Sequence, residues 1–244
     1  MRVVALYSIK GGVGKTAGAV NLAWEAMRHG YRTLLWDIDP RGAASWYLRI
    51  RPELPGGVDT VLKKRVTRGI KATDYPGLDL LPADFTHRNL DLVLDRRRKR
   101  RKSLARVVDR FAADFDMVFV DCPPGISLVS ENVFRSADVL LNPVIPSTLS
   151  LRTLQQLADF LRASGPRGVR LLNYFSMADR RRRMHRDVME TLARERADVL
   201  DTAIPDSSVV ERMGVERRPV GDFAPRSTAA AAYRRLFEEL EAVL

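Results

Sequence analysis

The chemistry of this sequence begins at the run Lys10-Gly11-Gly12-Val13-Gly14-Lys15-Thr16, which follows the apolar segment Val3-Val4-Ala5-Leu6-Tyr7. A strand that ends in a glycine-rich turn and opens a helix makes a phosphate cradle. The glycines let backbone N–H groups close around an anion, and the helix N-terminus adds its positive end. In such a loop Lys15 reaches the β- and γ-phosphates, and the Thr16 hydroxyl holds Mg2+. The ordinary spacing, G-x-x-x-x-G-K-[ST], is broken here because its first glycine falls on Ile9. A second lysine, Lys10, stands just inside the loop. An added cation in a phosphate site makes sense if it reaches a phosphate as well.

A site that hydrolyses a nucleotide needs carboxylates to hold metal and to position water. Open parallel sheets present such groups at the carboxyl ends of their strands. Two segments fit: Leu34-Leu35-Trp36-Asp37-Ile38-Asp39-Pro40, and Met117-Val118-Phe119-Val120-Asp121 followed by Cys122-Pro123-Pro124-Gly125. Asp39-Pro40 read alone is also a helix cap or turn. Cys122 is the single cysteine, so it forms no intrachain disulfide and no metal cluster. Without a paired base it reads as a small buried hydrophobe.

Together these segments resemble the ParA/MinD family of P-loop ATPases, whose deviant Walker A loop reads KGGVGKT. The resemblance implies that Lys10 crosses a dimer interface to the nucleotide of the partner subunit. It implies that Gly11, Gly12, Val13, Gly14, Lys15, Thr16 and Ala17 hold the nucleotide, with ATP and Mg2+ as cofactors. Lys10, Lys15 and Asp39 then form the catalytic set, Asp39 orienting or activating the attacking water. Thr16, Asp37 and Asp121 serve the metal, Asp121 through a water. Asn173, placed at a strand end in Leu171-Leu172-Asn173-Tyr174, resembles the asparagine that reads adenine in MinD-like relatives; a plain turn residue is the other reading. Ala203-Ile204-Pro205-Asp206 resembles the segment whose backbone packs on adenine. The chain departs from the family at Arg41, where glutamine is usual, at Ala43, where asparagine is common, and at Ala17. A missing threonine hydroxyl at Ala17 removes one hydrogen bond of roughly 1 kcal/mol.

The elements that must position these residues follow from the patterning. Apolar runs alternate with helical patterns, which predicts an α/β fold: one doubly wound, mostly parallel sheet with helices on both faces. Strands are expected near Val3–Tyr7, Thr33–Asp37, Leu78–Leu81, Met117–Asp121, Val139–Val144, Val169–Tyr174 and Val199–Ile204. Helices are expected near Lys15–Arg28, Ser103–Phe115, Leu149–Ala163, Met184–Arg194 and Ser227–Val243. The length of 244 residues suits one domain over residues 1–244. No apolar stretch reaches the ~18 residues of a membrane span. The chain enters a strand at once, so no signal peptide and no N-terminal helix-turn-helix extension are expected, and a cytoplasmic location follows.

Charge points to a partner. The net charge of +11 favours a polyanion, either nucleic acid or an anionic membrane surface. One run, Arg96-Arg97-Arg98-Lys99-Arg100-Arg101-Lys102, is entirely basic, and a second cluster is Arg180-Arg181-Arg182-Arg183 with His185 and Arg186. Most charge runs are simply solvated faces. Here both are expected at the nucleotide edge of the sheet, where they would bind duplex backbone without sequence preference. The expected DNA contacts are Arg180, Arg181, Arg182, Arg183 and Arg186, with Arg217 and Arg218, and Arg96, Arg97, Arg98, Arg100 and Arg101.

The function that the resemblance implies is that of a ParA-type positioning ATPase. ATP would join two subunits into a homodimer that binds double-stranded DNA on the nucleoid. A ParB-like or other cargo adaptor would then trigger hydrolysis and release. The alternative is a MinD-like membrane ATPase, which needs a basic amphipathic tail. The last residues, Phe237-Glu238-Glu239-Leu240-Glu241-Ala242-Val243-Leu244, carry acidic groups where lysines are wanted, so no membrane partner is expected. Cluster-carrying relatives need at least two cysteines, which Cys122 alone does not supply.

Overall fold

Alternation along the strands decides which layer each side chain joins. The computed structural model describes residues 1–97, 103–166 and 168–244. Eight strands among them form one sheet: β1 Arg2–Leu6, β2 Thr33–Asp37, β3 Lys71–Ala72, β4 Leu78–Leu81, β5 Met117–Asp121, β6 Val139–Val144, β7 Arg170–Ala178 and β8 Val199–Pro205. Their order is β3-β4-β2-β5-β1-β6-β7-β8. Every pairing is parallel except β3 with β4. Val4, Leu6, Met117 and Phe119 point to one face, where they meet Trp24, Tyr233 and Phe237. Val3, Ala5, Tyr7, Val118 and Val120 point to the other, against Leu90, Phe111, Phe134 and Leu157. Period-two alternation thus feeds two cores at once. Each fully buried leucine or phenylalanine contributes about 1.5–3 kcal/mol.

The first helix, Lys15–Arg28, and the last, Thr228–Ala242, cover one face. The last begins at Ser227, whose hydroxyl accepts from the Ala230 N–H at 3.1 Å, the ordinary N-cap arrangement. Thr148–Ser164 and Leu128–Phe134 cover the other face. The helix expected over Ser103–Phe115 is shorter: a turn at Ala105–Val108 tightens into a 3-10 segment at Asp109–Phe111. Beyond it the chain is held by Arg32, which donates to the Ala113 carbonyl (3.3 Å) and the Asp116 carboxylate (2.7 Å). β3 and the helices Ala43–Tyr47, Leu90–Asp95 and Leu128–Phe134 are additions to the expected elements.

A polar tether fixes the segment before the last helix. Asn21 donates to the Ala17 carbonyl at 2.7 Å, and its Oδ1 accepts from the Val220 N–H at 2.7 Å. Asn21→Ala leaves that buried N–H without its acceptor, which costs about 1–3 kcal/mol. Urea denaturation of the variant should show that loss with an unchanged m-value.

Candidate nucleotide site and the basic edge beside it

β1 lies between β5 and β6, so its carboxyl end opens at the point where strand order changes direction. Ligands of open α/β sheets bind in that crevice. The glycine-rich loop leaves β1 there and enters the first helix. Gly12 and Gly14 hold φ of +71° and +88°, a region that L side chains rarely adopt. A Cβ on Gly14 would also stand 2.8 Å from the Ser176 hydroxyl. The loop is therefore restricted to glycine at these two places for backbone reasons, before any ligand is considered.

Register places the carboxylates. Asp37 at the end of β2 pairs with Asp121 at the end of β5, and Asp121 pairs with Leu6 of β1. Both aspartates are fully buried. Asp37 accepts from the Ser45 N–H (2.9 Å) and hydroxyl (2.8 Å), and burial pushes its carboxyl up to about 7. Neither carboxylate oxygen of Asp121 has a hydrogen-bond partner among the described residues. Burial, and then the Asp37 charge, raise the Asp121 carboxyl well above its usual range, while the nearby Thr16 hydroxyl opposes that rise. Lys15 is buried, and desolvation lowers its ammonium against the pull of Asp121. An orphaned buried carboxylate between a threonine hydroxyl and a second raised carboxyl is a donor set that suits Mg2+, a hard cation that takes oxygen ligands.

Asp39 is different. Burial would raise it, but the side chain and backbone N–H of Arg41 outweigh burial and hold it below the usual carboxylate range. The Arg41–Asp39 ion pair is 2.6 Å long. This pairing was not legible from the sequence, where Arg41 is only a departure from glutamine.

A cavity of about 370 Å3 runs from the loop across the ends of β7 and β8. Residues 12–17 line it on one side, and Ser176, Met177, Pro205 and Asp206 on the other. Lys10 and Gly11 flank the loop outside that lining. The Lys15 Nζ folds back to the Lys10 carbonyl at 3.3 Å, whereas the Lys10 ammonium has no ion-pair partner among the described residues.

Asn173 requires a correction. β7 continues to Ala178, so Asn173 lies inside the strand and not at its end. Its carboxamide is spent on Asn142 (2.9 Å) and on the Asp198 carbonyl (3.2 Å). It is buried away from the cavity wall, which the same strand supplies through Ser176 and Met177. Asparagine's turn preference obscured a strand that Tyr174, Phe175 and Met177 carry onward.

The basic residues divide. Arg180, Arg181, Arg182, Arg183 and Arg186 are exposed and follow the end of β7, as expected. Arg181 and Arg182 share Asp179 at 2.9 and 3.5 Å, surface pairs worth little in water. Asp179, Arg180, Arg181 and Arg235 line a second cavity of about 820 Å3, and Pro205 and Asp206 belong to both cavities. Arg217 and Arg218 are not free. Arg217 stacks 4.0 Å over the Trp46 ring and donates to the Trp46 carbonyl. Arg218 pairs with Glu216 at 3.2 Å and Asp222 at 3.5 Å. These two tie a surface turn to its neighbours, a commitment that their sequence position does not reveal. Arg96 and Arg97 leave the helix Leu90–Asp95, which packs beside Leu128–Phe134 under the β5 side of the sheet. Arg98, Arg100 and Arg101 lie outside the described residues.

Cys122 is buried, and desolvation raises its thiol well above the usual value, which fits a packing role.

Comparison with known proteins agrees with this geometry. A family model described as an AAA domain (AAA_31) matches residues 1–165. The sporulation initiation inhibitor protein Soj of Bacillus subtilis is 30% identical over 253 residues, covering 99% of this chain and 98% of Soj. The chromosome partitioning protein ParA of Caulobacter vibrioides is 30% identical over 250 residues, covering 98% and 94%. Among solved structures, the cobyrinic acid a,c-diamide synthase of Mycobacterium smegmatis with bound ATP analog and magnesium superposes with a TM-score of 0.80 at 28% identity, covering 99% of this chain and 94% of that one. The Pyrococcus furiosus cell division ATPase MinD shares the fold, with a TM-score of 0.79 at 24% identity over 100% and 99% of the two chains. A phosphate loop at the sheet's switch point, buried carboxylates at two adjoining strand ends and full-length similarity to Soj and ParA identify the chain as a member of the AAA-domain ParA/Soj family of P-loop ATPases.

Proposed function

We propose that this chain is a ParA-type positioning ATPase, one unit over residues 1–244, with ATP and Mg2+ as its cofactors. The observation that carries the reading is the shared wall. Pro205 and Asp206 line the nucleotide cavity on one side and, on the other, the cavity walled by Arg180, Arg181 and Arg235 together with Asp179 and Asp201. Occupation of the first can therefore alter the second through two adjacent residues.

In this reading Lys15 and the loop N–H groups of residues 11–17 bind the phosphates. Thr16, Asp37 and Asp121 would hold Mg2+, which would supply charge neutralisation on the phosphate oxygens. Asp39 orients the attacking water. The unpaired Lys10 ammonium supports a homodimer in which each lysine reaches the partner's nucleotide. Pro205 and Asp206 flank the base, with Ser176 and Met177 in the place first expected for Asn173. Arg180, Arg181, Arg182, Arg183 and Arg186 bind duplex phosphates, and Arg96 and Arg97 extend that surface across the dimer. A ParB-like or other cargo adaptor stimulates hydrolysis and releases the dimer from the nucleoid. Dimerisation, nucleotide and DNA affinity are then linked, each strengthening the others.

The test replaces Arg180, Arg181 and Arg182 together by glutamate. Removing three phosphate contacts lowers the slope of log affinity against log salt by roughly 2.7 and weakens duplex binding by at least ~10-fold. ATP turnover without DNA is expected to be unchanged. Unaltered duplex affinity of the ATP-bound variant overturns the DNA assignment. Binding to anionic vesicles in place of DNA by the unmodified protein points to a membrane ATPase instead.

A further inference from the structure

Arg41 stands where the family resemblance puts glutamine, and it makes a contact that glutamine cannot. Its Nε lies 3.0 Å from Oδ1 and 3.2 Å from Oδ2 of Asp39, and its Nη2 lies 2.6 Å from Oδ2. The Arg41 backbone N–H adds another donor 3.0 Å from Oδ1. A carboxylate offers about four acceptor sites, and three N–H donors of this one residue, Nε shared between the two oxygens, Nη2 and the backbone N–H, occupy most of them. The two partners are unequal: the Asp39 side chain is 3% exposed and that of Arg41 is 62% exposed. The guanidinium is thus an outer lid on a buried acceptor. Arg41 also lines the cavity shared by Lys15 and Thr16, and Asp39 is its one ion-pair partner among the described residues. It can turn toward an anion in that cavity without disturbing packing.

We propose that Arg41 is a positioning residue whose guanidinium is shared between the Asp39 carboxylate and the terminal phosphate of a bound nucleotide, so that it masks Asp39 for much of the bound state and frees it only when it turns to the phosphate. The inference rests on the proposed role of Asp39 in placing water. Carboxylate and phosphate are the two anions that the planar guanidinium fork fits in bidentate fashion, so one can replace the other. The exchange makes and breaks hydrogen bonds only. After it, the backbone N–H still holds Oδ1, and Oδ2 is free to accept from a water. A lysine at this position keeps the charge that attracts phosphate but lacks the fork that covers both carboxylate oxygens.

Two measurements test this. In steady-state hydrolysis with Mg2+ and ATP, Arg41→Gln is expected to raise the basal kcat roughly three- to tenfold, with a raised KM from the lost phosphate contact. Arg41→Lys is expected to raise kcat as well, with a KM near that of the unmodified protein. A kcat for Arg41→Gln equal to or below that of the unmodified protein overturns the masking role. The second readout needs no turnover: the Arg41 Nε–H resonance in 15N spectra, assigned by its loss in Arg41→Lys. In the nucleotide-free protein it is expected to move in Asp39→Asn, and also when AMPPNP with Mg2+ is added. A resonance insensitive to Asp39→Asn overturns the clasp. An unmodified protein that hydrolyses no ATP overturns the ATPase reading instead, and the spectra still decide the clasp.

Discussion

Lys15→Ala is expected to lower ATP turnover by about 10^2–10^3-fold, the loss that follows removal of one preorganised charge at a transferring phosphoryl group. The structure says why no other residue replaces it. Lys15 sits at the first helical position, 5% exposed, and its Nζ already points back across the loop to the Lys10 carbonyl. It is therefore held over the cradle before any nucleotide enters, so little side-chain entropy is lost on binding. Within one subunit Lys10 lies on the outer flank of the loop, and the Arg41 side chain is 62% exposed and not held over the cradle. The nucleotide-free variant should fold, because removing a buried ammonium relieves the desolvation that lowers its proton affinity. Turnover measured beside a thermal melt separates the two effects. Residual turnover within tenfold of the unmodified protein, from a folded variant, removes Lys15 from the catalytic set.

The part of this site legible in the sequence is the part set by local backbone demands. Gly12 and Gly14 announce positive φ, and Asp37 and Asp121 announce strand ends because each closes a run of buried apolar residues. The first helix, Lys15–Arg28, begins and stops where its pattern does, at Gly14 and before His29-Gly30. What was hidden depends on pairing across distance. The sequence sets Asn173 at a strand end, as an adenine reader, because its neighbours in sequence say nothing of Asn142 on β6 or of the Asp198 carbonyl. Arg217 and Arg218 looked like free charge because Trp46, Glu216 and Asp222 come together only in the fold. The Arg41–Asp39 clasp spans two residues, yet no pattern distinguishes a bidentate geometry from an exposed arginine.

Asp121→Asn is the second large effect, and it acts in opposite directions on stability and on activity. Asp121 is wholly buried, and neither of its oxygens finds a hydrogen-bond partner among the described residues. Burial and the Asp37 charge raise its carboxyl far above the value it has in an unfolded chain. A carboxyl raised on folding favours the folded state fully below its unfolded pKa, and that contribution is lost as pH rises toward the folded value. Above neutral pH, then, the nucleotide-free protein carries a buried charge that Thr16 and Lys15 offset only in part, or an equivalent cost of keeping it protonated. Asparagine has the same shape and does not titrate. At pH 8, Asp121→Asn is expected to stabilise the nucleotide-free protein by about 2 kcal/mol, a Tm rise of about 4–8 °C for a chain of this size. The gain should shrink toward zero near pH 4, where the aspartate is neutral in the folded state and half-neutral in the unfolded one. Turnover with Mg2+ and ATP should fall by about 10^2–10^3-fold, because the amide is a poor substitute for the carboxylate in a site built for a hard cation. Melting curves at pH 4 and pH 8 with a turnover assay check both arms. A lower Tm at pH 8 shows that Asp121 has a stabilising partner, and undiminished turnover shows that the metal is held elsewhere. The opposed signs follow from one cause: the buried carboxylate is unfavourable in the empty fold, and the partner proposed for it is Mg2+.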